Sequence, residues 1–141
     1  MIQAYLQFNT DMIYLHTCMY PGQQMHNSPE IKNEIAMRCA MIINLCTSVV
    51  GSQNFDQHHI VWPIFVAGYA AVDMDTKIHA LNLMRAMEGT GIACNALRSR
   101  ELLAAVCEEQ RLRVLHGGHA EDVDWIALAK LKGLGVVNFG L

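Results

Sequence analysis

The segment Ile60-Val-Trp-Pro-Ile-Phe-Val-Ala-Gly-Tyr-Ala-Ala-Val72 constrains this chain more than any other, because it carries no charge and almost no polar group. Wound into a helix, it places Ile60, Ile64 and Ala71 on one side, Val61, Phe65, Tyr69 and Val72 on another, and Trp62, Val66 and Ala70 between them. A helix that is apolar on every face belongs in the middle of a bundle. Pro63 either opens this helix or kinks it, since its ring lacks the N–H and clashes with the preceding turn. Gly68 would let a neighbouring backbone come close. His58 and His59, after the polar loop 51–57, form a polar entry to the helix.

The rest of the chain can supply the wrapping. Helical periodicity dominates, with no apolar/polar alternation long enough for a sheet. The clearest helix starts at Ser28, a hydroxyl cap followed by Pro29 and Glu30, and runs to about Val50 before Gly51. Ile31, Ile35, Cys39, Ile42, Cys46 and Val49 draw its apolar stripe. Upstream, 3–20 patterns as a helix through Tyr5, Leu6, Met12, Ile13 and Leu15 and closes at Pro21-Gly22. Downstream, helices are expected at 75–87 with Ile78, Leu81 and Met84 inward, and from Asn95 or Ser99 to His116 with Leu102, Leu103 and Val106 inward. A short last helix is expected from Glu121 to Lys132, ending at Gly133. The expected fold is all-α: an irregular bundle of about six helices around a buried central helix, forming one domain over 1–141. With 141 residues, such a chain buries roughly 70% of the surface exposed when unfolded.

Charge and cysteine usage narrow the function classes. Ten Lys and Arg against thirteen Asp and Glu give a net charge of −3 without a block of either sign, so nothing draws the chain to phosphate or anionic lipid. Arg98, Arg100, Arg111 and Arg113 interleave with Glu101, Glu108 and Glu109, which reads as a solvated helix face. The five cysteines, Cys18, Cys39, Cys46, Cys94 and Cys107, are odd in number and lack a CxxC. They read as reduced, mostly buried thiols of an intracellular protein. The first ten residues lack the features of a signal peptide. The uncharged stretches 39–55 and 57–72 are interrupted by polar residues or Pro63, although Asp56 alone separates them, and each falls short of the ~20 apolar residues of a membrane span.

The side-chain groupings that invite chemistry each have a plainer account. His116-Gly-Gly-His119, beside Glu121 and Asp122, suggests a metal pair, but its glycines fit a helix end better. Cys94, Cys107 and Ser99 lack the signature of an activated nucleophile. Asp73 and Asp75 precede a helix and read as capping residues. There is no phosphate-binding glycine loop. The expected catalytic, cofactor and metal residues are therefore none. Of the nine methionines, Met19, Met25, Met37, Met41, Met84 and Met87 read first as core filling and second as the lining of an apolar pocket.

The segment Trp62-Pro63-Ile64-Phe65-Val66-Ala67-Gly68 resembles a WPxFxAG-like segment of the fungal-specific transcription factor domain, second type, the C-terminal regulatory region of zinc-cluster transcription factors. The similarity extends over about 28–133, through the acidic turn and helix at 73–87, the loop Gly89–Gly91, the long helix from Asn95 and Val123-Asp124-Trp125. It departs from the family at Lys77 and Ile78, where an arginine and a bulky aromatic are frequent, and at Cys107, where a tryptophan is frequent. The resemblance implies a nuclear setting and a role in regulating or dimerising a DNA-binding activity carried elsewhere, since no six-cysteine zinc cluster is present. It also implies that the chain corresponds to the C-terminal part of a longer domain, as a truncated product or fragmentary gene model. The implied partners are other parts of the transcription factor or a second copy, with an apolar, lipid-like effector as a further possibility. No direct nucleic-acid contact is expected. The competing classes are a stand-alone sensor of hydrophobic small molecules and, least favoured, an all-α enzyme.

Overall fold

The computed structural model describes residues 1–17 and 28–134. They form six helices: α1 (Ile2–Thr17), α2 (Pro29–Val49), α3 (His58–Ala70), α4 (Met74–Met87), α5 (Ala93–Leu115) and α6 (Trp125–Leu131), with a short 3-10 turn at Ala120–Asp122 before α6. Among the described residues there is no strand. The all-α expectation holds.

Local chemistry explains where the helices begin and end. Ser28 Oγ accepts the Ile31 N–H at 3.3 Å and Pro29 takes the first helical position of α2, so one orphan donor is satisfied and another is absent. Asp73 Oδ1 accepts from Thr76 N–H at 2.7 Å to start α4, and Asp124 Oδ1 accepts from Ala127 N–H at 2.9 Å to start α6. At the end of α5, Gly117 has φ +81° and Gly118 N–H donates to the Arg113 carbonyl at 2.8 Å. This is a left-handed glycine closure of the kind that satisfies the last carbonyls. The Pro21-Gly22 turn lies outside the described residues.

Helix α3 occupies the centre, packed by α1, α2, α4 and α5, and every residue from Ile60 to Tyr69 is buried. Pro63 lies within α3 rather than at its start. The carbonyl it deprives of a donor belongs to His59 in the exposed first turn, which keeps the loss away from the core. Phe65 meets Trp125 edge-on at 5.3 Å between ring centres, and Trp62 lies 6.2 Å from both Trp125 and Tyr14. The last helix is thereby held to the middle of the bundle.

Gly68 is where the bundle closes most tightly. A Cβ there would stand 2.7 Å from Leu103 Cδ2 and 3.0 Å from Ala80 Cβ. Gly68→Ala is expected to lower stability by about 1–2 kcal/mol, because overpacking of ~2–3 kcal/mol exceeds a helix-propensity gain of ~1 kcal/mol. A lower urea midpoint with an unchanged slope would report it.

Three expectations are corrected by the packing. In α4 the inward positions are Lys77, Ala80, Leu83, Met84 and Met87, whereas Ile78 is exposed and Leu81 half-buried. Small Ala80 is what Gly68 admits, and that sets the rotation of the helix. In α1 only Leu6 and Ile13 of the apolar pattern are buried, together with Asn9 and Thr10, while Tyr5 and Leu15 face out. The two polar side chains are satisfied: Thr10 Oγ1 donates to the Leu6 carbonyl at 2.7 Å and Asn9 Nδ2 to the Tyr5 carbonyl at 2.8 Å. Arg38 Nη1 donates to Asn9 Oδ1 at 2.9 Å, and its Nη2 to Glu34 at 2.7 Å. The expected helix from Glu121 is instead a 3-10 turn and α6, because Val123 is extended and buried between them.

Candidate functional site

The C-terminal end of α3 borders a cleft of about 590 Å³ among the described residues, which also touches α1, α2, α4, α5 and the 3-10 turn. Lys77 reaches this end from α4 with only 7% of its surface exposed. Its Nζ donates to the carbonyls of Gly68 (3.0 Å) and Tyr69 (3.4 Å) and to Gln110 Oε1 (2.7 Å). Gln110 Nε2 in turn donates to the Tyr69 carbonyl at 3.1 Å. A cation at a helix C-terminus is favoured by the dipole and by the unpaired carbonyls there. Burial nevertheless holds the Lys77 ammonium below the usual lysine range. The Tyr69 hydroxyl donates to the Val123 carbonyl at 3.1 Å, which joins the core helix to the segment before α6.

The remaining buried titratable groups are acids pushed upward. Burial raises the Cys39 and Cys46 thiols from 9.0 to about 12 and the Cys107 thiol in the same direction. Burial, then the charges of Asp124, Glu121 and Asp122, raises the Tyr69 phenol from 10.0 to about 12. Between pH 9 and about 12 the unfolded thiols release protons that the folded ones keep, so stability falls as pH rises. Lys77 has the opposite sign, gaining stability as pH climbs toward the ordinary lysine value, but it is one group against several. Stability is therefore expected to drop above pH 9, by about 1–2 kcal/mol per buried thiol at pH 10, read as a lower urea midpoint. Titrating Cys39→Ala and Cys46→Ala variants should show a shallower fall.

The groups singled out in the sequence have dispersed. His116 caps α5, its Nδ1 2.7 Å from the Leu112 carbonyl, while His119 lies at the cleft. Among the described residues no three His, Cys, Asp or Glu gather as metal ligands. His58 Nδ1 lies 2.9 Å from Asp56 Oδ1 at the entry to α3. Asp73 is a cap, Cys107 lines the cleft, Cys94 is exposed and Ser99 is buried. Glu108 pairs with Arg111, Glu109 with Arg113 and Glu88 with Arg100. Met84 and Met87 fill the core, Met37 is exposed, and among the described residues the methionine at the cleft is Met74, which the sequence did not single out. Cys18, Met19 and Met25 lie outside the described residues.

Lys77 and Gln110 are the polar residues that sequence reasoning missed. The available signal was register: stepping back from Met87 and Met84 by helical spacing reaches Ala80 and then Lys77.

No helix among the described residues is long and apolar enough to cross a membrane. Searches of curated proteins and of solved structures return no match. The family model described as "fungal specific transcription factor domain" matches residues 9–139. Its span takes in the core helix with its tryptophan, proline and glycine, the Lys77 cap and the Trp125 contact alike, and over this nearly full length the chain belongs to the fungal specific transcription factor domain family.

Proposed function

We propose that this chain is the regulatory helical domain of a fungal zinc-cluster transcription factor, acting in the nucleus on RNA polymerase II transcription. The carrying observation is the family match over 9–139. In this reading the chain is a single regulatory unit over 1–141, DNA is contacted by a zinc cluster carried elsewhere, and the partners are other parts of the factor or a second copy. The mixed surface supports the lack of DNA contact, since Arg100, Arg111 and Arg113 are each paired with a glutamate and phosphate binding draws on unpaired cations. A non-enzymatic role agrees with the dispersal of the candidate nucleophiles and bases.

Fusing the chain to an unrelated DNA-binding domain and measuring a reporter gene in a fungal host tests the proposal. Reporter transcription is expected to differ from that given by the DNA-binding domain alone, and the isolated chain is expected not to retard random duplex DNA at physiological salt. An unchanged reporter would overturn the regulatory assignment.

The cleft favours a second reading, that the domain senses a hydrophobic small molecule. Its size falls in the range of small-molecule pockets, and Ile31, Ile35, Val72, Met74 and Val114 give it an apolar wall.

A further inference from the structure

Helix α1 carries two apolar stripes. Leu6 and Ile13 meet the core. On another side Tyr5, Phe8, Met12 and Leu15 recur at steps of three and four residues, which is the a and d spacing of a helix that pairs with a second helix. This second stripe stays largely in water: Tyr5 is 43%, Phe8 55% and Leu15 60% exposed, and Met12 is half-buried. Helix α2 widens the face. The Tyr5 hydroxyl donates to Met41 Sδ at 3.8 Å, the Arg38 guanidinium lies 5.3 Å from the centre of the Phe8 ring, and Met37 beside it is 56% exposed. Little charge interrupts this surface. Asp11 is the one acid of α1, stands at the edge of the stripe and accepts from Gln7 Nε2 at 2.7 Å, while Arg38 is already bonded to Glu34 and Asn9.

The area of the face bears on what covers it. A large side chain that is half exposed keeps about 100 Å² in water, so the stripe with Met37 leaves roughly 400–500 Å² per copy, a contiguous patch of the size that marks an interaction site. Two such faces brought together cover about 900 Å², close to the ~1,000 Å² at which specific interfaces begin and fitting a weak, reversible contact. A two-fold axis through the stripe sets the a and d positions of one copy against those of another, so each apolar side chain meets an apolar surface and no charge has to be buried.

We propose that this face joins two copies of the chain in a weak homodimer, α1 packing against the α1 of the second copy with Met37 at its flank. Naming a second copy as the partner rests on the proposed function, to which the surface is added.

Sedimentation velocity of the full chain over roughly 1 to 200 µM tests the contact, and a reversible monomer–dimer equilibrium with a micromolar dissociation constant is expected. The Phe8→Glu/Met37→Glu double variant changes two exposed side chains and should weaken association about tenfold or more, since charges placed in the seam would have to be desolvated, while helicity and urea midpoint stay with the parent chain. Ile78→Glu, at an exposed position of α4, should leave association unchanged. Raising the salt from about 0.05 to about 0.5 M should not weaken the dimer, because screening acts on charges and the seam has almost none. A chain that is monomeric at every concentration would overturn the second copy as occupant, and a dimer indifferent to Phe8→Glu/Met37→Glu would overturn α1 as its site. Either result leaves the regulatory reading standing, whereas an unchanged reporter beside a dimer that obeys these variants would overturn the regulatory reading alone.

Discussion

Phe65→Ala is expected to destabilise the domain by about 4 kcal/mol, the largest loss foreseen for a single side chain. Phe65 is fully buried on the central helix and packs edge-on against Trp125 and beside Trp62, their ring centres 6.0 Å apart. Truncation removes the ring's transfer free energy and leaves a cavity that helices on several sides cannot all collapse to fill. For a domain of ordinary stability, 5–15 kcal/mol, such a loss reaches from a quarter to most of the total. Denaturant unfolding followed by tryptophan fluorescence measures it, and Phe65→Leu should recover more than half. A loss below 1 kcal/mol would mean that the α3–α6 aromatic contact does not exist in solution.

Lys77→Met is expected to cost about 2–3 kcal/mol even though it removes a buried charge. The substitution keeps the side chain's length but withdraws the donor from the Gly68 carbonyl and from Gln110 Oε1, and an unsatisfied buried acceptor costs about 1–3 kcal/mol. Relief of the ammonium's desolvation offsets part of this. Lys77→Arg keeps both charge and donors at the edge of an open cleft and should cost least. Alkaline titration gives an independent check: without the lysine, whose contribution rises with pH, the fall in stability above pH 9 should become steeper. A neutral or stabilising Lys77→Met would show that desolvation outweighs the capping bonds.

Much of the architecture follows from local rules, and it was correspondingly visible. The start of α2 at Ser28-Pro29 is set by side chains within one turn, and the absence of any charge from Ile60 to Tyr69 leaves that helix no stable position except the interior, whereas Val72, expected on the same buried helix, is exposed because α3 ends at Ala70. The inward face of α5, Leu102, Leu103 and Val106, follows from periodicity alone. The candidate site was much less legible. Lys77 looks like a surface residue of a polar helix until α3's last carbonyls are placed beside it, and Asn9 and Thr10 look like exposed breaks in an apolar pattern until their bonds to the preceding turn and to Arg38 are known. In both cases a polar residue is buried because something distant or one turn away satisfies it, and periodicity counts the residue type but not its partner.

By itself the amino-acid sequence determined that the chain would be helical, that the segment 60–72 would supply its axis, although the helix ends at Ala70, and that the tryptophan, proline and glycine of that helix would mark the family. The first two follow from propensity, capping and hydrophobic patterning, which act over a few residues, and the third from a resemblance of those residues to a known family. Only the tertiary structure decided the rotation of α4 about its axis, the division of the last helix at Val123, and the gathering of Lys32, Lys77 and Arg111 around one cleft. Those features depend on which small side chain lets two helices meet, as Ala80 does at Gly68. Such a contact is made between residues far apart in the chain, so no local pattern encodes it.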